Sequence, residues 1–169
     1  MWAAMLVRVM MVTATPVLGA PQEVKVASTG NTVVATTTGG ALVQATIRAR
    51  EVDIGPYGTP RPAKSESNCT YSQYPCTLVD RIDIAIGGHP VLVPKAVFRD
   101  LADVHWASVS GTKGKWVLDL LCGDASETYR ERIEFDAARV NRIRIFAGSD
   151  TSPGAVLMET TWHDVVIGP

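Results

Sequence analysis

The sequence predicts a mainly β protein: an antiparallel sandwich or curved sheet with one short helix. Three observations carry that reading. Apolar and polar residues alternate in short runs along most of the chain, glycine-containing turns separate the runs, and the strand-helix-strand rhythm of a parallel sheet is missing. With 169 residues, 46% hydrophobic and 20% charged, the chain has apolar material for a real core, which disordered or coiled-coil chains lack.

Val, Thr, Ala and Gly dominate from Glu23 to Ile54. VKVAS, NTVVATTT and ALVQATIRAREVDI read as two or three strands joined by hairpins at Thr29-Gly30-Asn31 and Gly39-Gly40, turn chemistry for residues with positive φ. GPYGTPRPAKSES, Gly55 to Ser67, keeps no periodicity and reads as a long exposed loop. It divides an N-terminal hairpin region, 20–54, from a main β-rich domain, 68–169. One domain with an irregular insertion fits the same pattern.

In TLVDRIDIAIGGHPVLVP, Leu78, Asp80, Ile82, Ile84 and Ile86 share one side, with Val79, Arg81, Asp83 and Ala85 opposite. The isoleucine side is expected to face a core. Gly87-Gly88 turns the chain into a second short strand, Val91 to Val93, which Pro94 ends. KAVFRDLAD has Val97 and Leu101 four apart with Phe98 beside them and Pro94 just ahead as a helix starter, so the spacing predicts a helix of two or three turns. VHWASVS, the turn GTKG and KWVLDLLC form the clearest hairpin, with Trp116, Leu118 and Leu120 facing away from Val117, Asp119 and Leu121. YRERIEFD, VNRIRIFAG and VLMETTWHDVVI complete a set of about ten strands.

Sixteen Lys and Arg against seventeen Asp and Glu give a formal net charge of -1, so no basic field exists to hold nucleic acid or anionic lipid. MWAAMLVRVMMVTATPVLGA has one early charge, Arg8, then an apolar run that fades at Pro16, the layout of a secretory signal peptide. Val17 and Gly19 supply the small residues that signal peptidase needs, which predicts a signal peptide over 1–19. Ala20 and Pro21 stand where a lipoprotein would need Cys. The run is shorter than the roughly 20 residues of a spanning helix. A periplasmic or secreted chain is expected, without stable membrane insertion after cleavage.

Three cysteines, Cys69, Cys76 and Cys122, raise the question of which two pair. NCTYSQYPC closes a turn-rich loop, so Cys69–Cys76 is the expected disulfide; a bridge from Cys122 to one of them would close a longer ring. Cys122 ends the apolar run WVLDLLC and then reads as a buried small hydrophobe. As a nucleophile it would need a lowered pKa, whereas nearby Asp124 and Glu127 would raise it.

From about Val79 onward the order GGHPVLVPKAVFRDLAD, WVLDL, CGDASETYRERIEFD and METTW resembles small exported proteins of proteobacteria that carry DLAD, GDASE-Y and late ETT segments. The resemblance covers a little over half the chain and implies export and a β-rich domain, no activity being assigned to that family. Trp162 stands where its members often carry Tyr, and Cys122 where a second Gly often precedes GDASE.

Cys122 to Tyr129 is the densest set of polar side chains between two strands. Asp124, Ser126 and Glu127 offer oxygens to a cation, but the segment lacks the length and acid count of an EF-hand loop. A tight turn in which Asp124 caps backbone N–H groups is favoured. Asp100 and Asp103 fall on one face of the expected helix, where solvation of its end is preferred over acid–base work, with Arg99 and Arg81 to neutralise them. His89 in GGHP reads as a turn residue; His105 and His163, each beside a Trp, sit on predicted strands but form no local zinc motif. GxSxG, P-loop, Rossmann and HExxH patterns are missing, and no cofactor or metal is expected.

The sequence therefore points to an exported β-rich binding module of the cell envelope that recognises a protein or wall component, as an inhibitor or immunity protein does. Its candidate surface is Asp124, Ser126, Glu127, Tyr129, His105 and His163. The alternatives are an envelope hydrolase with a diffuse site at Asp124, Ser126, His105 and His163, and a structural part of an envelope assembly.

Overall fold

The alternating runs resolve into ten strands among the residues described by a computed structural model, 21–56, 69–70, 75–112 and 114–162. The expected signal peptide, most of the Pro/Gly loop and His163 lie outside the described residues. In chain order the strands are β1 (Val24–Lys25), β2 (Gly30–Thr38), β3 (Ala41–Val52), β4 (Cys76–Ile86), β5 (His89–Val91), β6 (Val104–Thr112), β7 (Lys115–Cys122), β8 (Tyr129–Phe135), β9 (Val140–Ala147) and β10 (Val156–Thr161). They form two antiparallel sheets in a sandwich-like arrangement, β1-β6-β7-β8-β9-β10 and β2-β3-β4-β5.

Most neighbours are successive hairpins. Gly39 and Gly40, at φ +61° and +81°, make the two-residue turn between β2 and β3, a conformation that twists with the strands. β1 departs from the expected hairpin: Val24 pairs with Ala107 and Lys25 with Trp106, which places it in the opposite sheet from β2. The Ala27 N–H donates to Thr32 Oγ1 at 2.9 Å where the chain crosses between the sheets. β3 pairs with β4 from Val43↔Ile86 to Val52↔Cys76, so the N-terminal hairpin and the later chain share a sheet.

The inward faces meet in one core. Val34, Val43, Ala45, Ile47, Ile82 and Ile84 supply one side. The other is built by Val109, Trp116, Leu118, Leu120, Ile133 and Phe135, with the Trp116 and Phe135 rings stacked 6.2 Å apart. Each large side chain taken out of water here contributes roughly 1.5–3 kcal/mol.

Two bulges change the faces expected from simple alternation. Arg48 pairs with Arg81 but Ala49 with Val79, leaving Asp80 as the extra residue. Beyond it the pattern inverts: Val79 enters the core, while Leu78 packs on a small cluster of Cys69, Cys76 and Ala102. His105 is the extra residue of β6, so Val104 points inward with Ala107 and Val109.

The expected helix at KAVFRDLAD is a correction. Only a 3-10 turn forms, Lys95–Val97, with the Val97 N–H bonded to Pro94 O at 2.9 Å. Phe98 at φ -129° ends it. Val97, Phe98 and Leu101 all need burial, and a segment this short gains too little from helix propagation to resist the pull of the core. Asp100 and Asp103 therefore share no helix face: Asp100 is exposed and Asp103 is fully buried.

On the outer face of the six-stranded sheet Phe146 is fully covered, with the Arg132 and Arg144 guanidiniums 5.6 and 5.7 Å from its ring centre. Asp119 accepts from Arg132 at 3.0 Å, and Glu134 accepts from both Arg142 and Arg144, which holds the Glu134 carboxyl below its ordinary range despite partial burial.

Candidate functional site

The turn after β7 is built by its backbone. Gly123 sits at φ +73°, and Asp124 accepts from the Ala125 N–H at 2.8 Å, opening a 3-10 turn over Ala125–Glu127. The Thr128 hydroxyl closes it by donating to Ala125 O at 2.8 Å. Asp124, Ser126 and Glu127 remain exposed on this turn. Tyr129 goes the other way, half-buried, its hydroxyl 3.5 Å from Ala102 O. His105 lies half-buried at the β6 bulge, where its backbone C=O accepts from the Val26 N–H at 2.8 Å. The six candidate residues thus divide between an exposed turn, the interior and a bulge, with His163 outside the described residues.

The alternation of β7 and β8 brings a different polar set together inside the sandwich. Cys122 and Tyr129, cross-strand partners, share a hydrogen bond. Burial pushes the Cys122 thiol up, the charges of Glu131 and Asp103 push it further, and the thiol stays protonated and inert. Burial likewise raises the Tyr129 phenol. Glu131, 5% exposed with Oε1 unpartnered, has its carboxyl pushed up to about 8 by burial and then by Asp100. Cys69 and Cys76 form the disulfide, Cα atoms 5.6 Å apart, and Cys122 is the free buried thiol. Among the described residues no three His, Cys, Asp or Glu side chains could hold a metal ion, and no helix is long and apolar enough to cross a membrane.

A concave feature follows from how β5 leaves β4. Val91 is the last β5 residue paired with β4, at Ile84. Leu92 bonds the β8–β9 turn instead, donating to Ala138 O at 2.8 Å and accepting from the Val140 N–H at 3.0 Å. After the 3-10 turn the chain rejoins β4 at Leu101, whose C=O accepts from the Val79 N–H at 3.0 Å. Between these contacts Asp80–Asp83 pairs with β3 on one side and, among the described residues, with no strand on the β5 side.

The direction of the backbone groups there follows from register. The two-residue turn at Gly87–Gly88 makes Ile86↔His89, and hence Ile84↔Val91, the hydrogen-bonded pairs, while the Gly87 N–H bonds Leu42 O on the other side at 2.8 Å. The same alternation turns the Ile82 N–H and C=O into the gap. Val97 and Phe98 fill the core behind it, and a groove of about 600 Å³ runs along the edge past Val91, Leu92 and Lys95. Arg50–Asp80 at 2.7 Å and Arg81–Asp83 at 2.8 Å pair off most of its charge, whereas Lys95 has no ion pair among the described residues.

Sequence reasoning missed this groove because Ile82 reads as an ordinary alternating core residue, which it is, at 2% exposed; only the path of residues 92–101 shapes the groove beside it. A second cleft, about 350 Å³, lies at the end of β7 beside Trp116, Asp136, Arg142 and Trp162. Comparison of the chain with protein-family models, with curated proteins and with solved structures returns no match.

Proposed function

We propose that this chain is an exported binding module of the cell envelope, recognising a protein or a wall component with the surface of a rigid sandwich. The observation that carries the reading is the groove along β4, a preformed concavity in which Lys95 stands beside an apolar wall of Val91, Leu92 and Phe98. The Cys69–Cys76 disulfide supports an oxidising compartment outside the cytoplasm.

Two measurements test it. Protein recovered from a periplasmic fraction should have an intact mass lacking residues 1–19, and an uncut mass would overturn the export half of the proposal. Immobilised protein should capture a partner from periplasmic extract or bind isolated cell wall across several salt concentrations. Recovery of neither above background would overturn the binding half.

A further inference from the structure

We propose that β10 pairs with β10 of a second copy of this chain, joining the two six-stranded sheets into one continuous sheet across a two-fold axis at Thr160. The inference goes beyond the binding-module reading and does not depend on it.

Four strands end the two sheets, and three of them are guarded. β1 has two residues and carries Lys25, β5 has three with Pro90 in the middle, and β2 runs close along β6 of the opposite sheet. β10 is longer and carries no Pro, and its one charge, Glu159, is answered by Arg142 at 3.7 Å. Its bulge at Leu157 gives way to a regular register from Met158 to Thr161. Leu157 is 68% and Met158 51% exposed, and Glu159, Thr160 and Thr161 are exposed as well, so among the described residues neither face of the strand is covered.

The pairing with β9 fixes which backbone groups point outward. The Trp162 N–H donates to Asn141 O at 2.9 Å, so Trp162 and Asn141 form a hydrogen-bonded pair and the neighbouring pair, Thr161↔Arg142, does not. Alternation then turns the N–H and C=O of Thr161 and Glu159, both exposed residues, away from β9 towards the free edge. Another extended strand supplies the matching acceptor and donor, and an identical edge does so twice by symmetry.

Among the two-fold registers that join these groups, the one centred on Thr160 sets Glu159 against the second copy's Thr161. Centring on Glu159 would oppose like charges, and centring on Thr161 would pair only Thr161 with itself among the described residues. In the Thr160 register Met158 meets the second copy's Trp162. Met158 lies opposite Ile145 on β9, so it shares the core side of the sheet with Trp162, which already packs on the core. The thioether therefore meets a ring whose position is set before association. The exposure of Met158 and Thr160 also places the end of the four-stranded sheet short of this edge, which leaves room for the added strand.

The test follows the full chain by sedimentation velocity from micromolar to millimolar concentration, with amide exchange at both ends of that range. The chain should pass from monomer to dimer, and the Glu159 and Thr161 amides should exchange freely when dilute and at least about tenfold more slowly when concentrated. Thr161→Pro removes a donor that faces the free edge and should weaken association at least about tenfold with an unchanged far-ultraviolet spectrum. Thr160→Lys and Thr160→Glu each oppose like charges at the axis, so each alone should stay monomeric while an equimolar mixture dimerises. A monomer at every concentration, a dimer that Thr161→Pro leaves untouched, equal protection of both amides at all concentrations, or a mixture of the two charged variants that stays monomeric would each overturn the proposal.

Discussion

Asp103 holds Thr77 and, through its second oxygen, Thr70: Oδ1 accepts from the Thr77 N–H at 2.8 Å and Oδ2 from the Thr70 N–H at 2.7 Å. Its own N–H donates to Thr77 O at 2.7 Å, and its C=O accepts from the Gly123 N–H at 2.9 Å. One buried aspartate thus joins both flanks of the disulfide to β4 and to the turn after β7. Asp103 also sits at φ +49°, a conformation that Asp and Asn tolerate best among residues with a side chain.

Asp103→Asn should lower stability by roughly 1–3 kcal/mol, because one buried N–H loses its acceptor while the backbone conformation is kept. Asp103→Ala should cost more, since it strands two donors and adds backbone strain. Urea unfolding with unchanged m-values would measure both, and an Ala variant no worse than Asn would refute the two-donor account.

Reducing the Cys69–Cys76 bridge should destabilise the chain by roughly 2–3 kcal/mol, the effect expected for so short a loop. Melting with and without a phosphine reductant reads the difference. Alkylation should find no reactive thiol in the native protein, one after denaturation, and three after denaturation with reduction, since Cys122 is buried.

Glu131 predicts a loss of stability as pH rises from about 4.5 to about 8. Its carboxyl is held at about 8 in the folded chain, mainly by burial, against an ordinary value of 4.5. Between those values the folded state keeps a proton that the unfolded state has released, so stability is fullest below about pH 4.5 and falls as pH rises towards 8, by roughly 1.4 kcal/mol per pH unit from this group. Denaturant midpoints for Glu131→Gln should lack that slope; identical pH profiles for the two proteins would dispose of the assignment.

Gly123→Ala should cost roughly 1–3 kcal/mol, because φ +73° strains any Cβ and the added atom would run into the Glu127 carbonyl. Ser126→Ala on the same turn is exposed and should stay within about 0.5 kcal/mol of the parent. Thermal denaturation of the pair separates backbone geometry from surface chemistry.

The alternation of Trp116, Leu118 and Leu120 was legible because β7 is central and regular, and its period continues unbroken to Cys122. The Cys69–Cys76 bridge was legible because a turn-rich loop of that length closes on itself. The bulges at Asp80 and His105 were not, since one extra residue leaves no mark in composition yet moves Val79 and Leu78 to opposite faces. Glu131 lies at an inward position of YRERIEF, where sequence pattern alone reads its charge as a strand edge. Asp103 looked like half of an exposed acidic pair because the helix that would have carried it does not form. The groove arises from the route of Leu92 to Leu101, a tertiary choice with no local signature.

The docking of β1 on β6, Val24 against Ala107, sets an order of assembly. β2 with β3 and the run from β6 to β10 close over short loops and can form as soon as their residues exist, but the first strand must wait for a partner made much later. Its contact carries the highest sequence separation in the sheet, so the loop-closure entropy falls on this one step. Until β1 arrives, β6 is an open edge, and that interval is when an unfinished chain is most exposed to pairing with a neighbour.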